Sequence, residues 1–194
     1  MKLYFIRHGQ SVANINKTHA GWADVLLTEQ GRLDALRAKR ILEKIRFDKV
    51  YTSDLGRALD TQRIVLPDIE GDKTDLLREI NVGSIVGIPM EQCIRDYGDV
   101  YFACKKNCDF SAFGGESYDD LCQRVRSFLA MVESCGYDSV AAFSHGGYIQ
   151  TVLNIVCGAC IENVKVLCDN CSVTVFEFNG ETWKLKLWNY TGEL

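Results

Sequence analysis

The chain has 194 residues, 47% hydrophobic and 25% charged, with a formal net charge of −4. That length supports one domain with a buried core and leaves little room for a second, and the composition is ordinary for a globular protein. A net acidic chain lacks the broad basic field that nucleic acid requires, so any anion it binds must be held by a local cluster of cations.

The N-terminal MKLYFIRHGQ carries only a few consecutive apolar residues. This is too short for a signal-peptide core, and no later run approaches the roughly 20 residues of a membrane span. The expected location is the cytoplasm. The nine cysteines are then expected as reduced thiols filling small core positions. Lys2–Arg7 is predicted as a buried strand ending on the turn Arg7-His8-Gly9. Gln10–Leu27 shows no clear period and is expected to be a loop with a short helical turn. Thr28 caps a predicted helix over Glu29–Ile45, with Leu33, Leu36, Ile41, Leu42 and Ile45 as its apolar face. A strand follows at Lys49–Ser53, then a helix over Gly56–Leu66 stopped by Pro67. Ile85–Phe113 is the least regular stretch, expected to be helical around Glu91–Ala103. Glu116–Glu133 is predicted as a helix carrying Leu121, Val125, Phe128, Leu129 and Val132. Ser139–Phe143 is a short buried strand, turned by Ser144-His145-Gly146-Gly147 into a helix over Tyr148–Val156. A hairpin of Ser172–Phe178 and Thr182–Asn189 closes the pattern at Asn179-Gly180. This alternation predicts an α/β domain with a largely parallel sheet.

Only three histidines are present: His8, His19 and His145. His8 and His145 each follow a predicted strand and precede a glycine. Open α/β sheets build their sites at the carboxyl ends of strands, so the two histidines are expected at one crevice. A following glycine would let the backbone approach a ligand closely. Arg7 precedes His8, and Arg57 opens the helix after another strand. Guanidinium is a planar, permanently charged fork suited to phosphate oxygens. Two arginines and two histidines at three strand ends favour a joint anion site over unrelated structural histidines and solvated surface arginines.

With these residues in view, the chain resembles the histidine phosphatase superfamily, in the branch named for phosphoglycerate mutase. RHGQSVAN (Arg7–Asn14), GWADVLLTEQG (Gly21–Gly31), YTSDLGRALDT with Arg57, Leu77-Arg78-Glu79 with Gly83, GGES (Gly114–Ser117), SHGG (Ser144–Gly147) and DNCSVTVFEF (Asp169–Phe178) occur in the family's order. The resemblance implies a three-layer α/β fold with a mixed, mostly parallel sheet flanked by helices. It implies a phosphomonoester hydrolase in which His8 is the nucleophile and Glu79 the proton donor. Arg7, Arg57 and His145 would hold the phosphoryl oxygens, and Asn14 would add a side-chain donor. The implied partner is a small-molecule phosphomonoester, with no cofactor, no metal, no nucleic acid and no membrane. One domain is expected across 1–194, with a short lid at about 85–113.

The chemistry is consistent with those residues. Attack by a neutral imidazole splits hydrolysis into two easier displacements, and cationic donors stabilise the equatorial oxygens. Glu79 must be kept protonated, by burial or nearby charge, to act first as an acid. The sequence departs from the family pattern at Ala20, where many members carry glutamine, and at Leu26, where proline is frequent. These changes bear on how the Asn16–Val25 loop closes on substrate. His19, in that loop, is expected to be an exposed loop histidine, with replacement of the missing polar group as the alternative.

Other readings are weaker. Cys157, Cys160, Cys168 and Cys171 form a CxxC…CxxC pair of the kind that binds zinc. The gap between the pairs is short for a zinc ribbon, so core or surface thiols are expected. Ala142–Gly146 approximates a nucleophile elbow, but no histidine follows His145 to complete a serine triad. No GxxxxGK[ST] run exists for a P-loop. A non-catalytic phosphate-binding module would be expected to lack His8 or Glu79. A cofactor-dependent mutase remains the alternative enzyme. Mutases of this branch are longer and carry basic residues in an insertion between the acid segment and GGES. Here Glu79–Gly115 is short, and Arg95, Lys105 and Lys106 form no arginine pair. The lid aromatics Tyr97, Tyr101, Phe102, Phe110 and Phe113 are expected to be core for at least half their number.

Overall fold

Uninterrupted apolar runs become strands buried on both faces, and amphipathic segments become the helices that cover them. The computed structural model describes residues 1–158 and 166–192. Its strands are β1 (Lys2–Arg7), β2 (Lys49–Ser53), β3 (Asp72–Thr74), β4 (Ser139–Ser144), β5 (Val173–Phe178) and β6 (Trp183–Tyr190). They form one sheet in the order β3-β2-β4-β1-β5-β6. The β1–β4, β2–β4 and β2–β3 pairings are parallel. The β1–β5 and β5–β6 pairings are antiparallel. The expected mixed, mostly parallel sheet is therefore observed.

The helices are α1 (Val12–Ile15), α2 (Glu29–Leu42), α3 (Gly56–Val65), α4 (Met90–Asn107), α5 (Tyr118–Ser134) and α6 (Gly146–Cys157). Alternate side chains of the central strands feed two cores. Leu3, Phe5, Val140 and Ala142 join Leu121, Val125 and Phe128 of α5 and Ile149 and Val152 of α6. Ile6, Ala141 and Phe143 join Ala35, Ala38 and Leu42 of α2 and Val65 of α3. Helix, sheet and helix thus make three layers. Among the described residues, no helix is long and apolar enough to cross a membrane.

Several sequence expectations are corrected. The α2 helix ends at Leu42 rather than Ile45, and its buried stripe is Gly31, Ala35, Ala38 and Leu42. Leu33 and Leu36 face solvent, at 51% and 47% exposure. Small residues let this helix approach the sheet closely, so side-chain size and not hydrophobicity marks its inner face. The edge strand β3 was not expected, because Asp72-Lys73-Thr74 is short and polar. The α4 helix is longer than expected and is broken at Gly98, whose φ of 46° and ψ of −121° lie outside helical space. Of the lid aromatics, Tyr101 and Phe110 are buried, while Tyr97 and Phe102 are exposed.

Phe128 is fully buried and packs its ring against Phe5 and Tyr51, with centroids 6.1 and 5.6 Å away. Phe128→Ala is expected to cost roughly 3–5 kcal/mol in urea unfolding. Leu33→Ala is expected to stay within about 0.5 kcal/mol. A large loss at Leu33 would contradict the observed register of α2.

Candidate active site

The sheet order places three strand ends side by side, and each delivers one part of the site. β1 ends at Arg7 and hands the chain to His8. β4 ends at Ser144 and hands it to His145, which caps α6. β2 ends at Ser53, and Arg57 follows in the first turn of α3. The rings of His8 and His145 lie 5.1 Å apart between centroids. His8, His145 and Arg57 are all buried.

The backbone around His8 is pinned from several directions. His8 N donates to Ser144 O at 3.0 Å, and His8 O accepts from Asn170 Nδ2 at 2.9 Å and Cys171 N at 3.3 Å. Gly9 N donates to Thr61 Oγ1 on α3. The glycines after the two histidines serve packing rather than a ligand. A Cβ at Gly9 would lie 2.4 Å from Gly31 O, and one at Gly146 would lie 3.2 Å from Arg7 Nε.

His8 Nδ1 lies 2.7 Å from Gly9 O. A carbonyl can only accept, so Nδ1 carries the hydrogen and Nε2 keeps its lone pair. Burial, then Arg57, then Arg7 push the His8 pKa well below its ordinary value, overcoming the Gly9 carbonyl. Burial, Arg57 and His8 do the same to His145. Both rings are therefore neutral at pH 7. His145 Nε2 lies 2.9 Å from Ser53 Oγ, which accepts from Leu55 N. The Ser53 hydrogen is then available to Nε2, leaving His145 Nδ1 as the N–H. That Nδ1, Arg7 Nε and Arg57 Nε are buried nitrogens without a hydrogen-bond partner among the described residues. Unpaired buried donors are costly, and an anion would satisfy them.

Arg57 also holds the loop before α2, donating from Nη2 to Gly21 O and from Nη1 to Ala23 O. Its pKa is pushed down to about 10 by burial, with Glu79 opposing and Arg7 adding. Arg7 Nη1 donates to Cys168 O. Asn14 turns Oδ1 back on Ser11 N at 2.9 Å, capping α1, and its Nδ2 has no protein partner among the described residues.

Glu79 lies at the N-terminus of α6. Its Oε2 accepts from Gly147 N and its Oε1 from Tyr148 N, both at 3.1 Å, with Ile80 N also on Oε1. Three backbone amide hydrogens thus surround its carboxyl oxygens. Sequence reading missed the residues that hold this segment. Arg124 of α5 donates to Leu76 O, Arg78 O and Glu79 O and pairs with Glu116. Trp22 Nε1 donates to Glu79 O at 2.7 Å, and Arg78 lies over the Trp22 ring while bonding Asp54 through two nitrogens. The GGES block followed by an arginine two helical turns on was the available sequence clue.

These residues line a cleft of about 370 Å³, including Arg7, His8, Asn14, Arg57 and Glu79. His145 is fully buried and is not among its lining residues, with its ring 5.1 Å from that of His8. His19 is no exposed loop residue: it lines the cleft and bonds Tyr101. The loop Asn16–Val25 is tied to the start of α4, through Met90 N to Lys17 O and Gly87 N to His19 O. Among the described residues, no group of three or more His, Cys, Asp or Glu could hold a metal ion. Of the CxxC pairs, Cys157 is exposed and Cys168 and Cys171 are buried, while Cys160 lies outside the described residues.

Residues 3–191 match the histidine phosphatase superfamily, branch 1. The chain belongs to this family. It is 30% identical to 2,3-bisphosphoglycerate-dependent phosphoglycerate mutase 2 of Gloeobacter violaceus, covering 92% of this chain and 86% of the relative. Among solved structures, a mycobacterial glucosyl-3-phosphoglycerate phosphatase superposes with a TM-score of 0.88 at 26% identity, over 97% of this chain and 98% of the other. The α-ribazole phosphatase of Shigella flexneri gives 0.88 at 25% identity, over 98% and 97%. The family has both phosphatases and mutases as its members, and this chain is similar to both.

A neutral buried histidine makes stability depend on pH. The folded pKa of His8 and His145 is depressed, so the unfolded chain binds more protons below the free value of about 6.5. Stability is expected in full above that pH and to fall below it, by up to about 1.4 kcal/mol per pH unit for each histidine. Chemical denaturation at pH 7 and pH 5.5 should show a smaller drop in His8→Asn than in the unmodified protein. Equal drops would contradict the depressed His8 pKa.

Proposed function

We propose that the protein is a phosphomonoester hydrolase that works through a phosphohistidine on His8. The observation that carries this reading is the fixed tautomer of His8: a neutral ring, hydrogen on Nδ1, with Arg7 and Arg57 beside it. Nε2 attacks phosphorus, and the ester P–O bond breaks. Arg7 and Arg57, with the Nδ1–H of His145 and the amide of Asn14, stabilise the phosphoryl oxygens. Glu79 gives its proton to the departing alkoxide. Water then attacks the phosphohistidine, Glu79 takes a proton from that water, and the P–N bond breaks. Inorganic phosphate leaves, and His8 is again neutral. In this reading the reaction is metal-independent and needs no cofactor. The substrate is a small phosphomonoester.

The mutase reading has support in the similarity to the Gloeobacter violaceus enzyme. The coverage of the two phosphatase structures from end to end favours hydrolysis, as does a short segment between Glu79 and the GGES block. Incubation with 3-phosphoglycerate, with and without 2,3-bisphosphoglycerate, separates them. Phosphate release exceeding isomer exchange is expected, and faster exchange would establish the mutase.

With phenyl phosphate, His8→Ala is expected to fall to background and EDTA to have no effect. Full activity in His8→Ala would overturn the mechanism, as would loss in EDTA with recovery on zinc. Glu79→Gln is expected to lower kcat about 10²–10⁴-fold on an alkyl phosphate. The loss should be much smaller on 4-nitrophenyl phosphate, whose leaving group needs no proton. An equal loss on both would remove Glu79 as the acid.

A further inference from the structure

One turn outside the cleft touches both the nucleophile and a candidate phosphate donor. It is the Asp169–Ser172 segment leading into β5, closed by Ser172 N donating to Asp169 O at 3.1 Å. Resting on the hydrolase reading, we propose that Asn170 in this turn is a positioning residue. Its side chain sets the spacing between His8 and Asn14, and the edge strand β6 holds it in place.

The Asn170 amide nitrogen has two hydrogens and meets two acceptors. Nδ2 lies 2.9 Å from His8 O and 3.4 Å from Asn14 Oδ1. A carbonyl can only accept, so Asn170 turns its nitrogen and not its oxygen to His8. Asn14 Oδ1 is likewise fixed as an acceptor, because Ser11 N donates to it at 2.9 Å. That orientation leaves Asn14 Nδ2 for a phosphoryl oxygen. The Ser11 bonds to Asn14 lie within the cap of its own four-residue helix α1. Asn170 instead reaches across from the start of β5 and ties Asn14 directly to the strand-end turn that carries His8.

The turn is braced from its other side. Asp169 N donates to Asn189 Oδ1 at 2.6 Å, and Asn189 Nδ2 donates back to Asp169 Oδ2 at 2.7 Å. Asn189 lies in β6 with a φ of 53°, and its N donates to Thr174 Oγ1 in β5. Asparagine visits this left-handed region more readily than most residues. Trp188 Nε1 also donates to Leu167 O at 2.8 Å. Cys171, at a φ of 56°, shares its N–H between Arg7 O at 3.1 Å and His8 O at 3.3 Å. A chain of hydrogen bonds thus runs from β6 through Asp169 and Asn170 to two groups that meet the phosphoryl group. Attack on phosphorus is sensitive to small displacements, and a misplacement of about 1 Å can cost about 10²-fold in rate.

A double-mutant cycle tests the role, with calorimetry of inorganic phosphate and turnover of phenyl phosphate as its two readouts. Asn170→Ala is expected to weaken phosphate binding about three- to tenfold, the size of one hydrogen bond. It should also lower kcat on the order of tenfold, as His8 loses its register. In an Asn14→Ala background, Asn170→Ala should change phosphate affinity by less than about twofold, because the amide it orients is gone. Asn189→Ala is expected to weaken phosphate about two- to threefold and to add nothing in an Asn170→Ala background. Should Asn170→Ala fail to fold, Asn170→Asp, of the same size, carries the cycle in its place. Additive losses, or an unchanged phosphate affinity in Asn170→Ala, would overturn the positioning role while hydrolysis through His8 stands. Coupled losses of phosphate binding in a protein that hydrolyses no phosphomonoester would overturn the hydrolase reading and leave the positioning role standing.

Discussion

A neutral imidazole set beside two guanidinium groups is the constraint on which this site is built. Burial and the positive neighbours both work against a protonated ring, so His8 stays a base and nucleophile. The Gly9 carbonyl then decides which nitrogen is free. The remainder of the fold holds that arrangement in place. Placing β1 between β4 and β5 lets Ser144 O, Cys171 N and Asn170 Nδ2 fix the His8 backbone. Placing β2 next to β4 brings Ser53 to His145 and sets Arg57 at the start of α3. The site is a consequence of strand order, as expected where neighbouring parallel strands end together.

The acid is held by different means. Glu79 lies on an irregular segment between β3 and α4, where no ladder of strand hydrogen bonds fixes it. Arg124 reaches three of its carbonyls while paired with both oxygens of Glu116, and Glu116 Oε2 also accepts from Asn81 N. Trp22 reaches Glu79 O from the loop that Arg57 anchors. Arg57 and Arg124 thus each hold backbone carbonyls as well as carrying charge. A half-buried arginine with all its donors used is well placed for that work, because removing it leaves several carbonyls and a carboxylate unpaired at once.

Much of the fold and the centre of the site are legible in the sequence. Apolar strand runs, the Arg-His-Gly and Ser-His-Gly turns and the position of Arg57 are local patterns, and local patterns survive folding. What was not legible depends on contacts between distant segments. The inner face of α2 is set by how near it packs, so Ala35 and Ala38 are buried where Leu33 and Leu36 were expected. β3 exists because Tyr51, Thr52 and Ser53 offer it an edge, and nothing in Asp72-Lys73-Thr74 announces it. Arg124 reads as a surface residue of an amphipathic helix until the acid segment is laid across it. His19 reads as a loop residue until Tyr101, 82 positions away, meets its ring.

The central claim is that the phosphoryl group passes through His8. Rapid quenching of the enzyme with a ³²P-labelled phosphomonoester, followed by peptide mapping in alkali, measures it directly. The account predicts acid-labile label on the peptide containing His8, formed at least as fast as steady-state turnover and absent in His8→Ala. Turnover without label on that peptide, or label on another residue with competent kinetics, would contradict it.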